Sequence, residues 1–326
     1  MEDRDVSPER PDVLVLRQKP HGIPGAAYAD ALRDRLPDEV TVRTAQTPAE
    51  ERAMVTDAPV VSGGHFRQEL LDRAEALELF ACMYAGYEHL PLETFADRGI
   101  AVTNAAGVHG PNIAEHVVGA FLSIARNFGR ARRQQDRHEW RHFQSSELTG
   151  SRVVIVGMGA IGQTIVERLE GFDVTTVGVR YTPEKGGPTD EVYGLDEIHE
   201  ALVGAEYVAV ASPLTEETRG LIGADELKTL PPSAVLVNVA RGPIVDTDAL
   251  LAALRQNHLR GAALDVTDPE PLPNDHPLWD FENVLITPHV SGHTPEYYER
   301  LADIVAPNVE QILADGDRDE LENRVA

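Results

Sequence analysis

The stretch that most constrains this chain runs from Arg152 to Gly171. Val153-Val154-Ile155-Val156 is a β-branched run, as a strand buried on both faces requires. It passes directly into Gly157-Met158-Gly159-Ala160-Ile161-Gly162 and then into a helical pattern over 163–170, with Gly171 placed to end it. Gly157 permits a tight turn, Gly159 lets a phosphate approach the backbone, and Gly162 allows close helix–strand packing. The following helix offers its first amides and a positive partial charge to an anion. A glycine-rich turn with no ligand is the alternative. The strand and helix on either side argue for a dinucleotide instead.

The rest of the chain repeats the same architecture. Short apolar runs at 12–16, 41–42, 59–61, 79–82 and 100–103 alternate with helical patterns such as 28–36 and 67–77. After a long helical pattern over 112–141, further runs follow at 152–156, 174–179, 207–211, 235–239, 261–265 and 284–287. Alternation of this kind predicts α/β structure with parallel sheets. At 326 residues the chain is long for one compact domain, so two domains sharing a cleft are expected. The pattern over 112–141 is apolar first and rich in Arg and Gln later, which suits a helix leaving one domain for another surface. A last helical pattern covers 295–313.

Composition narrows the class. Lys and Arg total 29 against 54 Asp and Glu, a formal net charge of −25. Nucleic acid and anionic membrane surfaces are disfavoured as partners. Only Lys19, Lys185 and Lys228 are lysines. We read the balance as adaptation to high salt, where counter-ions screen self-repulsion; an arginine-rich genome is the bland alternative. No run reaches the length of a membrane span, and 1–10 reads as a mobile polar tail rather than a signal peptide. The single cysteine, Cys82, excludes an intrachain disulfide. A cytoplasmic location fits these features.

The strand over 174–179 ends at Val179, followed by Arg180-Tyr181-Thr182. An acid at this strand end would bind a ribose 2′-hydroxyl. Its absence removes repulsion of a 2′-phosphate, and Arg180 can bond one, so NADP(H) is the expected cofactor, with NAD(H) also usable. The plain alternative is a solvated arginine and relaxed specificity.

Three residues at strand ends form a candidate reaction centre. Arg241 lies in Asn-Val-Ala-Arg-Gly, Glu270 in Asp-Pro-Glu-Pro-Leu-Pro, and His289 in Thr-Pro-His-Val-Ser-Gly. Reducing a ketone by hydride needs a proton donor to the forming alkoxide and a cation for the substrate carboxylate. A histidine beside a carboxylate supplies the first, and an arginine fork supplies the second.

With these motifs the sequence resembles the D-isomer-specific 2-hydroxyacid dehydrogenase family, from about residue 12 to 315 and most densely over 148–292. The resemblance implies a flavodoxin-like domain, 1–104 with 294–326, that binds substrate. It implies an inserted NAD(P)-binding Rossmann domain, 105–293, with the active-site cleft between the two. It gives Arg241 the 2-keto carboxylate, His289 the acid/base role, and Glu270 the orienting of His289. Tyr84, Ala85 and Gly86 match the substrate-carboxylate loop. Cofactor contacts are implied at Gly157, Gly159, Ala160, Ile161, Gly162, Ser212, Pro213, Thr218, Val239, Asp265, His289 and Gly292, with Asp265 at the nicotinamide carboxamide. A homodimer through the cofactor domains is also implied. Glu270 stands where formate-specific members carry glutamine, and no phosphoglycerate-type regulatory extension follows. Thr267-Asp268-Pro269 departs from the D-lactate branch, and Tyr87 is bulkier than the family's usual residue.

The plainer features are read plainly. His116 lies on an apolar helix face as a packing residue, and Cys82 is a small buried hydrophobe. Trp140 either packs or flanks a cleft across a dimer. No histidine pair has metal-ligand spacing, so no catalytic metal is expected. A dinucleotide-sensing co-regulator of the same fold is the second functional class; the intact Arg–Glu–His set favours an enzyme.

Overall fold

The computed structural model describes residues 10–87, 89–316, 318 and 320–326. The N-terminal tail, apart from Arg10, and Glu88 of the carboxylate loop lie outside the described residues. The chain forms two compact units, Met1–Val108 with Thr294–Ala326, and His109–His293. The first boundary falls after Val108 rather than at 104, because Ala105 and Val108 are still buried in the first unit's core.

The first unit is a five-stranded parallel sheet in the order β2-β1-β3-β4-β5. Its strands are β1 (Val13–Val15), β2 (Val42–Thr44), β3 (Val60–Gly63), β4 (Leu79–Cys82) and β5 (Ala101–Thr103). Val13 sits opposite Val42 on one side and Val60 on the other. Successive strand residues feed opposite cores, as period two demands. Val13, Val15, Val60 and Leu79 pack with Tyr28 of α1 (Gly25–Arg33) and with Tyr297, Leu301 and Val305 of the last helix, Tyr297–Asp315. Leu14, Val61, Phe80 and Val102 pack on the other side, where Phe66, Phe80 and Phe95 stack with centroids 4.9 and 5.5 Å apart.

The second unit is a seven-stranded parallel sheet, β12-β11-β10-β9-β6-β7-β8. The strands are β6 (Arg152–Val156), β7 (Thr175–Val179), β8 (Glu191–Tyr193), β9 (Tyr207–Val210), β10 (Val235–Asn238), β11 (Gly261–Leu264) and β12 (Val284–Ile286). Val153 and Ile155 face α5 (Gly110–Ala125) and α7 (Ala160–Leu169) through Val117, Phe121 and Ile165, while Val154 and Val156 join the core on the opposite face. Both sheets are therefore covered on both faces, which is why their strands read as apolar runs.

Four local expectations change. The helix over 112–141 is two helices, α5 and α6 (Phe128–Asp136), because Asn127 turns left-handed at φ 56° and donates from Nδ2 to the Gln144 carbonyl at 2.8 Å. The helix over 67–77 shrinks to Gln68–Leu71. α7 ends in a short 3-10 turn, Glu170–Phe172, and the left-handed residue after it is Asp173 rather than Gly171. β8 escaped the sequence reading because it is three half-buried residues at the sheet edge. Arg152 holds it with a two-pronged bond to Glu191, at 2.7 and 2.9 Å.

Candidate active site

The glycine turn is shaped by what surrounds it. Gly157 leaves β6 with φ +107°, and a Cβ there would sit 2.5 Å from the Ser212 nitrogen. A Cβ on Gly162 would collide with the Gly157 carbonyl oxygen. Gly159, by contrast, caps α7 with no side-chain bond, and a Cβ there would meet nothing within 4 Å. Open space therefore lies where the first amides of α7, at Ala160 and Ile161, have no helical partner. A cleft of about 420 Å³ is lined by Gly157, Gly159, Arg180, Ser212, Pro213 and Thr218.

Those residues fit a dinucleotide. Ser212 is 6% exposed, and its buried hydroxyl has no hydrogen-bond partner among the described residues, so it is available to a ligand. Thr218 is committed to its own loop, donating to the Pro213 carbonyl at 2.6 Å and accepting from the Thr215 N–H at 2.8 Å. Arg180 is half-buried and donates to the Gly186 carbonyl, which leaves much of its fork unspent. Lys185 lines the same cleft, a cation the sequence reading did not single out. Its signal was rarity, as one of three lysines in the chain. Val239 is buried beyond β10, and Gly292 follows the His289 loop.

Along the same carboxyl edge of this sheet, beyond β11 and β12, Glu270 and His289 meet, with Oε1 and Nδ1 2.6 Å apart. A carboxylate only accepts, so Nδ1 carries the hydrogen and Nε2 faces outward chemically as the exchangeable site. Arg241 is exposed beyond β10 and spends one donor on the Ala240 carbonyl at 2.7 Å. Buried Asn238 clamps its turn, donating to the Arg241 carbonyl and accepting from the Ala240 N–H, each at 3.0 Å. Gly242 brings that turn against the Thr267 backbone, a few residues before Glu270. No bond links Arg241 to the pair among the described residues; the three share neighbouring strand ends.

His289 has a left-handed backbone, φ 52°, which histidine tolerates better than most residues. Asp265 fixes it. The His289 N–H donates to the Asp265 carbonyl, while the Asp265 carboxylate accepts from Thr287 Oγ1 at 2.6 Å and from the Val290 and Ser291 N–H groups at 2.9 Å. Burial opposes ionisation of Asp265, yet these bonds outweigh it and its pKa lies below the ordinary carboxylate range. His116 is half-buried, 3.4 Å from the Thr287 hydroxyl, so it packs behind this loop. Neither Asn238 nor Asp265's supporting role was found from the sequence.

In the first unit, Tyr84, Ala85 and Gly86 follow β4 and are half-buried. The Tyr84 and Ala85 carbonyls are taken by the Ala105 N–H at 3.1 Å and Asn104 Nδ2 at 2.6 Å. The Ala85 and Gly86 N–H groups donate to no described residue. Cys82 is buried, as read. Among the described residues no group of three or more His, Cys, Asp or Glu could hold a metal ion, and no helix is long and apolar enough to cross a membrane.

A glycine turn feeding a helix, on the same sheet as a paired histidine, is the arrangement of oxidoreductases that use a nicotinamide dinucleotide. Comparison with known proteins agrees. A family model described as D-isomer specific 2-hydroxyacid dehydrogenase, NAD binding domain, matches residues 118–291. The chain is 36% identical over 255 residues to a glyoxylate reductase of Thermofilum pendens, covering 75% of this chain and 74% of that one. It is 32% identical to a glyoxylate reductase of Pyrococcus furiosus, covering 92% and 91%. A D-3-phosphoglycerate dehydrogenase of Methanocaldococcus jannaschii is 33% identical, and the chain spans about half of its length, 53%. Among solved structures, an NADPH-dependent glyoxylate/hydroxypyruvate reductase of Sinorhizobium meliloti superposes with a TM-score of 0.74 at 28% identity, covering 97% and 98%. The chain belongs to the D-isomer specific 2-hydroxyacid dehydrogenase family.

Proposed function

We propose that the protein interconverts a small 2-keto acid and its D-2-hydroxy acid with NADP(H) as preferred cofactor and NAD(H) as a weaker one. The bond between His289 and Glu270 carries the reading. A bound nicotinamide supplies the hydride. His289 gives the forming alkoxide its proton and recovers it in the reverse direction. Glu270 keeps the imidazole in the required tautomer and offsets its charge. Arg241 retains enough of its fork to take the substrate carboxylate. Within the first unit, the Ala85 and Gly86 amides, which donate to no described residue, support the family's reading of their loop as a carboxylate binder. On this reading the first unit binds substrate and the second binds cofactor.

Cofactor preference rests on Arg180 and Lys185 beside a strand that ends in Val179 instead of an acid. An NADPH-dependent reductase among the structural relatives supports it. The composition and the single cysteine support a cytoplasmic location, the family resemblance supports a homodimer paired through the cofactor units, and Trp140, 92% exposed, is a candidate contact. The net charge of −25 supports a requirement for high salt.

Initial rates across a panel of 2-keto acids, with NADPH and NADH, at low and multimolar KCl, test these points together. Turnover of at least one short keto acid, faster with NADPH and at high salt, is expected. No turnover across the panel would sink the enzyme reading and favour a dinucleotide sensor.

A further inference from the structure

In the first unit the strand order reverses between β1 and β3, and ligands of parallel sheets gather beyond the carboxyl ends of the strands flanking such a reversal. The residues there are Gln18, after β1, and Gly64-His65, after β3. Gln18 Oε1 accepts from the Gly64 and His65 N–H groups at 2.5 and 3.0 Å, and Gln18 Nε2 donates to the His65 carbonyl at 2.7 Å. His89 Nε2 donates to the Gly64 carbonyl at 2.7 Å. A Cβ on Gly64 would strike the Tyr84 ring, so glycine is what lets Tyr84 lie against this turn. The His65 and His89 rings stand edge to face with centroids 4.5 Å apart, and the Tyr84 ring is 5.5 Å from one and 6.0 Å from the other. Two exposed imidazoles are thus fastened side by side, one of them, His89, three residues after Gly86 in sequence, and the hydride chemistry uses neither.

We propose that His65 and His89 form a specificity site for a second anionic group, carboxylate or phosphate, at the far end of the keto acid. This rests on the keto acid reductase reading above.

The argument is electrostatic. Because His89 Nε2 donates to a carbonyl, the neutral ring presents a lone pair at Nδ1, which repels an anion, whereas the protonated ring presents a donor. Burial, and then the neighbouring His89, push the His65 pKa down. Protonating His65 is therefore costly until an anion lies beside it, so binding of a charged tail is linked to proton uptake. The other titratable groups against the pair do not replace it. Burial pushes the Tyr84 phenol up, keeping it neutral. Cys82 is buried beneath Gly64. Arg67 is committed to buried Glu51 at 3.0 Å, and Glu51 also accepts from the Arg17 N–H. Glu88, adjacent to His89 in sequence, lies outside the described residues.

The test compares kcat/KM for oxaloacetate and for 3-phosphohydroxypyruvate with that for 2-oxobutanoate, which has no tail charge. A ratio cancels the protonation of His289, common to all three. Between about pH 6 and about pH 8 the wild-type ratio is expected to fall roughly tenfold, spanning the histidine range. In His65→Gln and His89→Gln the fall should shrink to about twofold. A ratio indifferent to pH in the wild type, or a full fall in both variants, overturns the proposal. A fall for only one of the two charged substrates supports it and identifies the tail as carboxylate or phosphate. A second readout is independent of turnover: imidazole NMR midpoints of His65 and His89, assigned with the two variants, with and without malonate or inorganic phosphate. Midpoints raised by roughly half a pH unit support the site even if no keto acid is reduced, in which case only the reductase reading fails. Midpoints unmoved by either anion overturn it.

Discussion

The turn after β6 and the turn after β12 leave the same parallel sheet at its carboxyl ends, and they are built in opposite ways. Around Gly157 and Gly162 neighbouring backbone occupies the places where side chains would go. Around His289 the side chain is the purpose of the turn, and Asp265 and Glu270 hold it from the backbone and from the ring. On the proposed reading the first turn binds by shape and by unsatisfied amides. The second, on the same proposed reading, positions one proton donor at the expense of a left-handed backbone, a strain of roughly 1–3 kcal/mol that the Asp265 bonds offset. A glycine site therefore fails by steric intrusion, whereas a histidine site fails by loss of a single group or of what supports it.

The largest effect should come from the proton donor itself. His289→Ala is expected to lower kcat by about 10²–10⁴, the usual worth of a positioned acid/base. Cofactor affinity, measured by fluorescence titration, should stay within about twofold, since the residue acts on the substrate oxygen. A variant whose cofactor Kd rose steeply while kcat at saturating cofactor held would merge the two turns into one binding function.

Within the glycine turn, Gly162→Ala and Gly159→Ala should separate packing from binding. Gly162→Ala drives a methyl into the Gly157 carbonyl and should cost about 1–3 kcal/mol of stability. At about 2–4 °C per kcal/mol this is visible in a melting curve. Gly159→Ala meets no protein atom, so its Tm should hold while the dinucleotide Kd rises roughly tenfold, about 1.4 kcal/mol. Equal Tm losses in both variants would show that the open space at Gly159 is not reserved for a ligand.

Asp265→Asn probes the support of the second turn. Asparagine presents a donor to two N–H groups and one hydroxyl that now point at a carboxylate, so a loss of about 1–3 kcal/mol is expected. The sign with pH follows from linkage. The folded-state pKa of Asp265 is lowered, so its charge contributes fully above the ordinary carboxylate range. That contribution is lost as pH falls through the folded value. Wild type and Asp265→Asn should therefore converge in urea midpoints below about pH 4. A gap that persists in acid would mean the carboxylate's charge is not what holds the loop.

What the sequence made legible follows the same division. A glycine that must be glycine leaves a mark at its own position, so 157–162 and its strand and helix were readable, as were both sheets apart from the half-buried edge strand β8. Arg241, Glu270 and His289 were readable as chemistry, but only the fold could bring Glu270 to His289 across nineteen positions. Asn238 looked like an ordinary polar strand end and Asp265 like a cofactor contact alone, because their support consists of bonds, within the Ala240–Arg241 turn and to the 287–291 loop, that only the fold displays. The break at Asn127 was missed for a local reason: one left-handed residue interrupts a pattern whose composition still reads as helix.

The narrowest effect, on cofactor preference alone, should lie at the edge of the glycine turn, where on the proposed reading charge rather than shape selects the ligand. Arg180 is tethered to Gly186 and shares the cleft with Lys185, so a 2′-phosphate would meet two cations while a 2′-hydroxyl would meet no acid. A bond to a charged group is worth about 1.5–3 kcal/mol, so Arg180→Ala should shift the NADPH to NADH ratio of kcat/KM by roughly tenfold or more towards NADH. Lys185→Ala should shift it less, because its exposed ammonium is already well solvated. High KCl screens both contacts, so the preference should narrow as salt rises even if turnover increases. A preference unmoved by Arg180→Ala and by salt would return this arginine to the loop it tethers, leaving the glycine turn selective for a dinucleotide but indifferent to which one.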